Sequence, residues 1–445
     1  MNDIKMKKTL ILLATLSAIA NAAKADESSV TLYGVIDLAL GTINGQANTD
    51  ANLASTVNPT SANKSQSSVT GMFNGGIQAS RWGLTGKEDL GGGTKAIFTL
   101  ESGFSANSGT LNNNAAALND GNNNATGGSF DGQLFGRQAW VGLTNKDYGT
   151  LTLGRTYTLL YDTTVTYDPV QYAQLFTPLG SSSKYGGGAG VSEYTRLDNS
   201  LKYVNKIGHV SVGAQYKFGN IAGNTQEGSA YGLSLGYENG AFALQTAYFN
   251  ATDSIATSAG NALTNSAISS YTPGSSSTLN GVAYNNSGYI VAAKYKVNGD
   301  ASFKGGYEHY TLSAASDTIT QSTVSSFSGY SFNALTSYNG TDQNVNIYYA
   351  GGDYNLTPNF NVSAGYYLVS FEGYKSNTVS KAGSSVSGVN NTYTSLLADY
   401  RLSKRTDVYA GLMFGHFGGT DTSGSINYQD NSRISIVATG LRTIF

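Results

Sequence analysis

The sequence contains no cysteine. That excludes a disulfide framework and any chemistry built on a thiolate, and it suits an oxidising compartment, where stray thiols are a liability. Histidine is almost as scarce: His209, His309 and His416 are the only three in 445 residues. They are too scattered for a metal-ligand spacing or for a base beside a nucleophile, so no catalytic residue, metal or cofactor is expected. Charged residues make up 12 % of the chain, about half the usual soluble share. Their balance is slightly acidic, which excludes a basic nucleic-acid footprint. After residue 25 no long apolar run remains, whereas a bilayer-crossing helix needs about 20 such residues. If that part of the chain enters a membrane, it must do so as strands.

The first residues read as an address. Lys5, Lys7 and Lys8 precede an apolar stretch from Thr9 to Ala20, and Ala23-Lys24-Ala25 supplies small residues before a cut at Ala25/Asp26. A stretch of 12 residues is too short to span a bilayer, so residues 1–25 are expected to be a cleaved signal peptide and residues 26–445 the working domain. Starting at Met6 would leave that signal intact. Its removal takes four lysines from the 26 basic residues and Asp3 from the 28 acidic ones, leaving 22 against 27, a net of −5.

What the chain has in abundance is alternation. Val212, Ala214, Tyr216 and Phe218 share one face of an extended segment, and Ser211, Gly213, Gln215 and Lys217 share the other. Ala96, Phe98 and Leu100 oppose Lys95, Thr99 and Glu101 in the same way. Sixteen such segments begin near Val30, Gly76, Thr94, Leu134, Gly149, Tyr194, His209, Ala230, Ala241, Gly288, Ala301, Asp342, Asn359, Tyr393, Thr406 and Ser432. Short turns such as Glu238-Asn239-Gly240, Asn298-Gly299-Asp300 and Ser403-Lys404-Arg405 alternate with long Ser/Asn/Gly/Thr-rich stretches at 42–75, 105–133, 158–193, 251–286, 312–341 and 373–390. Tyr and Phe gather near strand ends, where a ring can sit between wet and dry surroundings. No helices are expected to cover the sheet, so the greasy face looks outward to lipid and the polar face inward to water. The fold expected is all-β: a 16-stranded antiparallel transmembrane β-barrel with short turns on one side and long loops on the other.

Several motifs carry a family resemblance. Ser29-Val30-Thr31-Leu32-Tyr33-Gly34 is similar to the first strand of the general Gram-negative porins. Ser80-Arg81-Trp82-Gly83-Leu84-Thr85-Gly86-Lys87-Glu88-Asp89-Leu90-Gly91 resembles their second strand and first periplasmic turn. Phe135 to Leu143 with Gly149 to Arg155 resembles strands four and five, Asp198 to Tyr203 resembles strand six, and Gly440 to Phe445 resembles the closing strand. The match is closest to the porins of β-proteobacteria. The resemblance implies a homotrimer in the cell outer membrane, among its lipid and lipopolysaccharide, with one pore per subunit for passive diffusion of small hydrophilic solutes and ions. It implies periplasmic turns, extracellular loops and an inward-folded third loop that narrows the pore. It also implies that Phe445 is read by the barrel-assembly machinery; an interface aromatic would sit there equally well.

Selectivity in such a pore comes from its width and the field across its narrowest section. Arg81 has the parity of Gly83 and Thr85, and Arg196 that of Ser200 and Lys202, so both are expected to face the lumen. Arg137 has the parity of Val141 and Leu143, which calls for a bulge or for apolar residues pointing inward. The resemblance implies that these three arginines form a basic constriction wall, and the third loop offers Asp162, Asp168 and Glu193 as its acidic counterpart. Asp168-Pro169 before Val170 to Phe176 reads as an N-cap, a proline in the first turn, and a short helix. Asp37, Glu101 and Lys202 are expected as further lumen charges. Val35 stands where the family often carries a basic residue, and Asp168-Pro169-Val170 departs from its usual loop triplet. The arginines favour anions and the net negative charge favours cations, which leaves the sign of selectivity open. A substrate-specific channel of the same fold is the competing reading, with Tyr33, Tyr348 and Tyr409 as candidate lumen aromatics.

Overall fold

A computed structural model of the chain describes residues 28–45, 67–111, 134–179, 195–219, 223–257, 279–316, 326–327, 330–337, 340–376, 384–386, 388–418 and 432–445. Among these residues sixteen strands make one closed antiparallel wall. They are β1 (Ser29–Gly45), β2 in two arms (Ser67–Asn74 and Arg81–Gly91), β3 (Thr94–Gly103), β4 (Gln138–Asn145), β5 (Gly149–Tyr157), β6 (Arg196–Ile207), β7 (Val210–Lys217) and β8 (Ala230–Asn239). The second half comprises β9 (Phe242–Thr257), β10 (Leu279–Lys296), β11 (Ala301–Ala314), β12 (Gln343–Thr357), β13 (Phe360–Phe371), β14 (Val389–Arg401), β15 (Thr406–Gly418) and β16 (Ser432–Ile444). Each strand pairs with the next, and β16 closes onto β1 from Val35↔Ile444 to Gly45↔Ile434. Phe445 finishes the seam: its N–H donates to the Gly34 carbonyl and the Gly34 N–H donates to the Phe445 carbonyl, both at 3.0 Å. A glycine at residue 34 suits this close approach, because a Cβ there would lie 2.8 Å from the Arg81 carbonyl oxygen and 2.3 Å from the Phe445 ring.

The outer face is mainly apolar, interrupted on β11 and β12 by the hydrogen-bonded side chains of His309, Thr311, Asn344 and Asn346. Val141, Leu153, Leu233, Leu244, Val291 and Leu441 all stand exposed on it, which costs nothing when the surrounding solvent is hydrocarbon. Two aromatic belts bound this band. Tyr237, Phe242, Tyr295, Phe303, Tyr354 and Tyr400 ring the short-turn end, and Phe218, Tyr231, Tyr248, Tyr289, Tyr348 and Tyr366 lie toward the long-loop end.

The inner face departs from the expectation of a uniformly polar lining. It is polar on β2 to β7, where Arg81, Thr99, Glu101, Thr152, Lys202 and Gln215 project inward. On β9 to β16 it carries Phe249, Ile290, Ile347, Val369, Met413 and Ile436, all buried. These side chains are not in water, because a segment of chain lies against them inside the barrel.

Strand limits also differ from the sequence expectation. The first arm of β2 falls inside the stretch 42–75 taken as loop, and the expected start at Gly76 is a break between the arms. β9 runs on to Thr257, β10 starts at Leu279 rather than near Gly288, and Tyr330–Ser337 lies parallel beside Leu279–Ala283. Polar Ser/Asn/Thr sequence hides strands that extend past the membrane, where both faces are wet and alternation no longer matters.

Asp37 explains the break in β2. It is fully buried rather than lining open lumen, which corrects its expected role. Its carboxylate accepts the N–H groups of Gly76 at 3.2 Å, Ile77 at 3.0 Å and Gln78 at 2.6 Å, together with the Tyr409 hydroxyl. The Ser80 hydroxyl accepts the Asp37 N–H and donates to the Asp37 carbonyl, each at 3.1 Å. One side chain thus supplies the partners that the ladder gives up over these residues. Asp37→Ala leaves the two buried N–H groups of Gly76 and Ile77 unpaired, at about 1–3 kcal/mol each, and frees that of half-buried Gln78. Its heat-modified electrophoretic band should therefore appear at a clearly lower temperature than in the wild type, and an unchanged transition would remove Asp37 from this role.

Candidate functional site

The segment inside the barrel begins where β5 ends. Thr158 caps helix α1 (Leu159–Tyr167), its hydroxyl accepting the Tyr161 N–H at 3.0 Å. The helix lies across the inner faces of β7 to β11. Leu159 packs where Gly213 and Gly232 leave room, and the Thr164 hydroxyl donates to Glu308 at 3.1 Å. The helix expected after Asp168 is therefore corrected: it precedes that residue, and Asp168 stands at its C-terminal end. The Thr-rich run Leu159–Tyr167 has little helix propensity of its own, and the barrel wall holds it.

Asp168 is likewise corrected as a pore-facing acid, because it has no exposed surface. Its carboxylate accepts the Val170 N–H at 3.0 Å and the Tyr367 hydroxyl at 2.6 Å, while its carbonyl accepts Lys304 Nζ at 2.9 Å. Burial pushes its carboxyl above the ordinary aspartate range, and these hydrogen bonds oppose that shift. The chain then passes through left-handed Gln171 and Tyr172 and buries Val170, Phe176 and Leu179 completely. Phe176 fits against Gly411, where a Cβ would come within 2.8 Å of the ring. Finally the Leu175 N–H reaches the Gly76 carbonyl at 2.9 Å, inside the break in β2. The segment thus runs along the wall from β5 round to β2.

The basic residues collect on the part of the wall that this segment does not cover. Glu101 on β3 is their centre. It accepts Arg137 Nε at 2.8 Å, the Tyr33 hydroxyl at 2.9 Å and the Tyr157 hydroxyl at 3.3 Å, and Arg81 Nε lies 3.4 Å away. Arg137 also donates to the Tyr157 hydroxyl at 2.7 Å. The Arg196 guanidinium sits 4.8 Å above the Tyr157 ring, and Tyr157 stacks on Tyr161 of α1 at 4.7 Å. Three guanidinium groups against one carboxylate leave this cluster with two surplus positive charges. Arg155 and Asp198 form a neutral ion pair nearby.

All three expected arginines thus meet around Glu101 and Tyr157, but strict alternation is not what places two of them. Arg137 lies in a bend one residue ahead of β4, so it turns inward while Val141 and Leu143 stay on the outer face. Between Arg196 and Lys202, Asn199 is left-handed and the β5–β6 register shifts, which cuts the parity argument. The expected opposition of basic wall and acidic loop is altered as well: the counter-ion of the arginines is Glu101, on the wall itself. Asp162 does stand exposed on the inner segment, in the first turn of α1. It pairs with Lys202 Nζ at 2.5 Å, which also donates to the Tyr157 carbonyl at 2.8 Å. Glu193 lies outside the described residues. Sequence reasoning missed Tyr157 and Tyr161, whose position at the turn from strand to inner segment was the available signal. Of the candidate lumen aromatics, Tyr348 lies on the outer face, Tyr409 is buried on Asp37, and Tyr33 joins the cluster. Among the described residues no group of His, Asp and Glu could hold a metal ion.

Phe176→Ala should detach the inner segment, since emptying such a site costs about 3–5 kcal/mol. The single-channel conductance should rise and fluctuate; a wild-type current trace would show that Phe176 is not the anchor.

Comparisons with known proteins agree with this architecture. The profile of a family described as Gram-negative porin matches residues 9–420. An outer membrane porin protein of Bordetella pertussis is 37 % identical over 201 residues, covering 44 % of each chain. Outer membrane porin protein 32 of Delftia acidovorans is 29 % identical over 239 residues, 53 % of this chain and 57 % of its own. The matched region thus spans about half the length of these curated relatives. Among solved structures, an anion-selective porin from Comamonas acidovorans superposes with a TM-score of 0.59 at 20 % identity, over 94 % of this chain and all of that one. The OmpT barrel of Vibrio cholerae gives 0.56 at 16 % identity. At such identities the likeness is one of fold.

Proposed function

Because the chain belongs to the Gram-negative porin family, we propose that it forms a water-filled channel of the outer membrane through which small hydrophilic solutes and ions diffuse passively. The observation that carries this is the unequal lining of a closed barrel: an inner segment packed against β9 to β16, and a charged wall left bare on β2 to β6. Solutes pass beside that wall. Arg81, Arg137 and Arg196 form the basic side of the narrowest section, with Glu101 holding two of them in place, and Asp162 with Lys202 forms the edge contributed by the inner segment. The surplus positive charge favours small anions at this point. The other inward aromatics, Tyr310, Tyr349, Tyr367 and Tyr393, are buried in the inner core instead of facing the water-filled passage, and this supports a general channel over a substrate-specific one.

The same reading extends to assembly. Residues 1–25 act as an export signal, so the mature chain isolated from outer membranes should have an intact mass that begins at Asp26. Three copies associate side by side among lipid and lipopolysaccharide. Phe445 serves as the mark read by the barrel-assembly machinery, and its backbone pairing with Gly34 explains why a terminal aromatic can both close the seam and be reached before closure.

In planar bilayers under a salt gradient, Arg81→Ala combined with Arg196→Ala should move the zero-current potential toward cation preference. An unmoved potential would take both residues out of the constriction, and a purified protein that never opened channels would end the porin reading.

A further inference from the structure

A second basic site lies below the arginine cluster, at the short-turn end of the lumen. There α1 roofs a cavity of about 590 Å³. The space exists because the inward side chains of β7 to β9 are small at this level: Ser211, Ser234 and Ala243 form the wall beneath the helix. Two strands flanking this floor carry lysines at alternate inward positions or close to it. Lys202 and Lys206 project from β6, and Lys294 and Lys296 from β10, with Lys146 in the turn between β4 and β5.

The charge around the cavity does not balance. Its lining holds Lys146, Lys206, Lys294 and Lys296 against two carboxylates, Asp162 and Glu238. Asp162 is already bonded to Lys202, which stands outside the lining, and Glu238 accepts Lys206 Nζ at 2.8 Å. Glu238 also lies in the field of Lys294 and Lys296. Among the described residues Lys146, Lys294 and Lys296 have no ion-pair partner within 4 Å. Hydroxyl donors stand with them on Ser211 and Ser234 of the floor, whereas the Thr163 and Thr166 hydroxyls of the roof donate to the helix carbonyls of Leu159 and Asp162.

Resting on the channel reading above, we propose that this cavity is a binding site for small multivalent oxyanions, such as polycarboxylates and phosphate esters. Separated cations with hydroxyls between them match an anion carrying two or more charged groups better than they match chloride, which can neutralise one lysine at a time. The volume suits a small organic anion, within the roughly 300–1,000 Å³ common for ligand sites. The walls are open to water, so residence is brief and the site acts as a relay rather than a trap.

The test is block of the potassium chloride current by citrate, with inorganic phosphate as a second probe, added in turn to each side of a planar bilayer. Citrate should reduce the wild-type current from one side at lower concentration than from the other. Lys294→Gln with Lys296→Gln should need about ten times more citrate for the same block, as expected from two partly screened charge contacts. Lys294→Arg with Lys296→Arg should restore the block, and Lys404→Gln, on a turn away from the cavity, should leave it unchanged. Normal chloride conductance in each variant reports an intact barrel. Wild-type channels indifferent to citrate, or a glutamine variant blocked as readily as wild type, would overturn the site while leaving the porin reading standing. A protein with no conductance at all would sink both.

Discussion

In hydrocarbon an unpaired backbone N–H or C=O has no water to turn to, and each costs several kcal/mol. That constraint makes closure of the sheet obligatory. The β16–β1 seam, ending in the paired backbones of Gly34 and Phe445, is where the chain meets it. The same rule explains Asp37. Where β2 breaks, its ladder partners are replaced by a single buried carboxylate and by Ser80. The break is tolerated because every donor named there has an acceptor.

The break is also where the inner segment docks. Leu175 bonds to Gly76 within it, and Phe176 lies against Gly411 three strands away from it. The hydrophobic core of this protein is therefore inside the barrel, between the loop and half of the wall. A closed barrel has no need of such a core for its own stability, since its outer face is solvated by lipid. What the core does is fix which part of the wall stays wet. The arginines lie on that part, and Glu101 keeps like charges together that would otherwise repel.

How much of this was visible in the sequence can be judged residue by residue. The strand pattern of β7 needed only Ser211 to Phe218, because a period of two with lipid on one side leaves no other solution. Glu101 and Lys95 could be assigned inward by the same rule. Arg137 could not, since a bend ahead of β4 resets the parity, and such a bend has no signature at that position. Asp168-Pro169 carried the marks of a helix start, yet the wall imposed the helix ahead of that residue, on a run of threonines, and turned the aspartate into a buried anchor. The apolar inner residues Ile347, Val369 and Ile436 were visible as apolar, but their packing partner was 160 or more residues away.

By itself, then, the sequence determined the barrel: strand number, the alternation of faces and the two kinds of connection follow from local spacing and from the chemistry of lipid and water. Only the tertiary structure decided where the lumen is filled and which charges meet. Those outcomes depend on contacts between residues remote in the chain, such as Asp37 with Gly76 or Phe176 with Gly411, and no local periodicity encodes them.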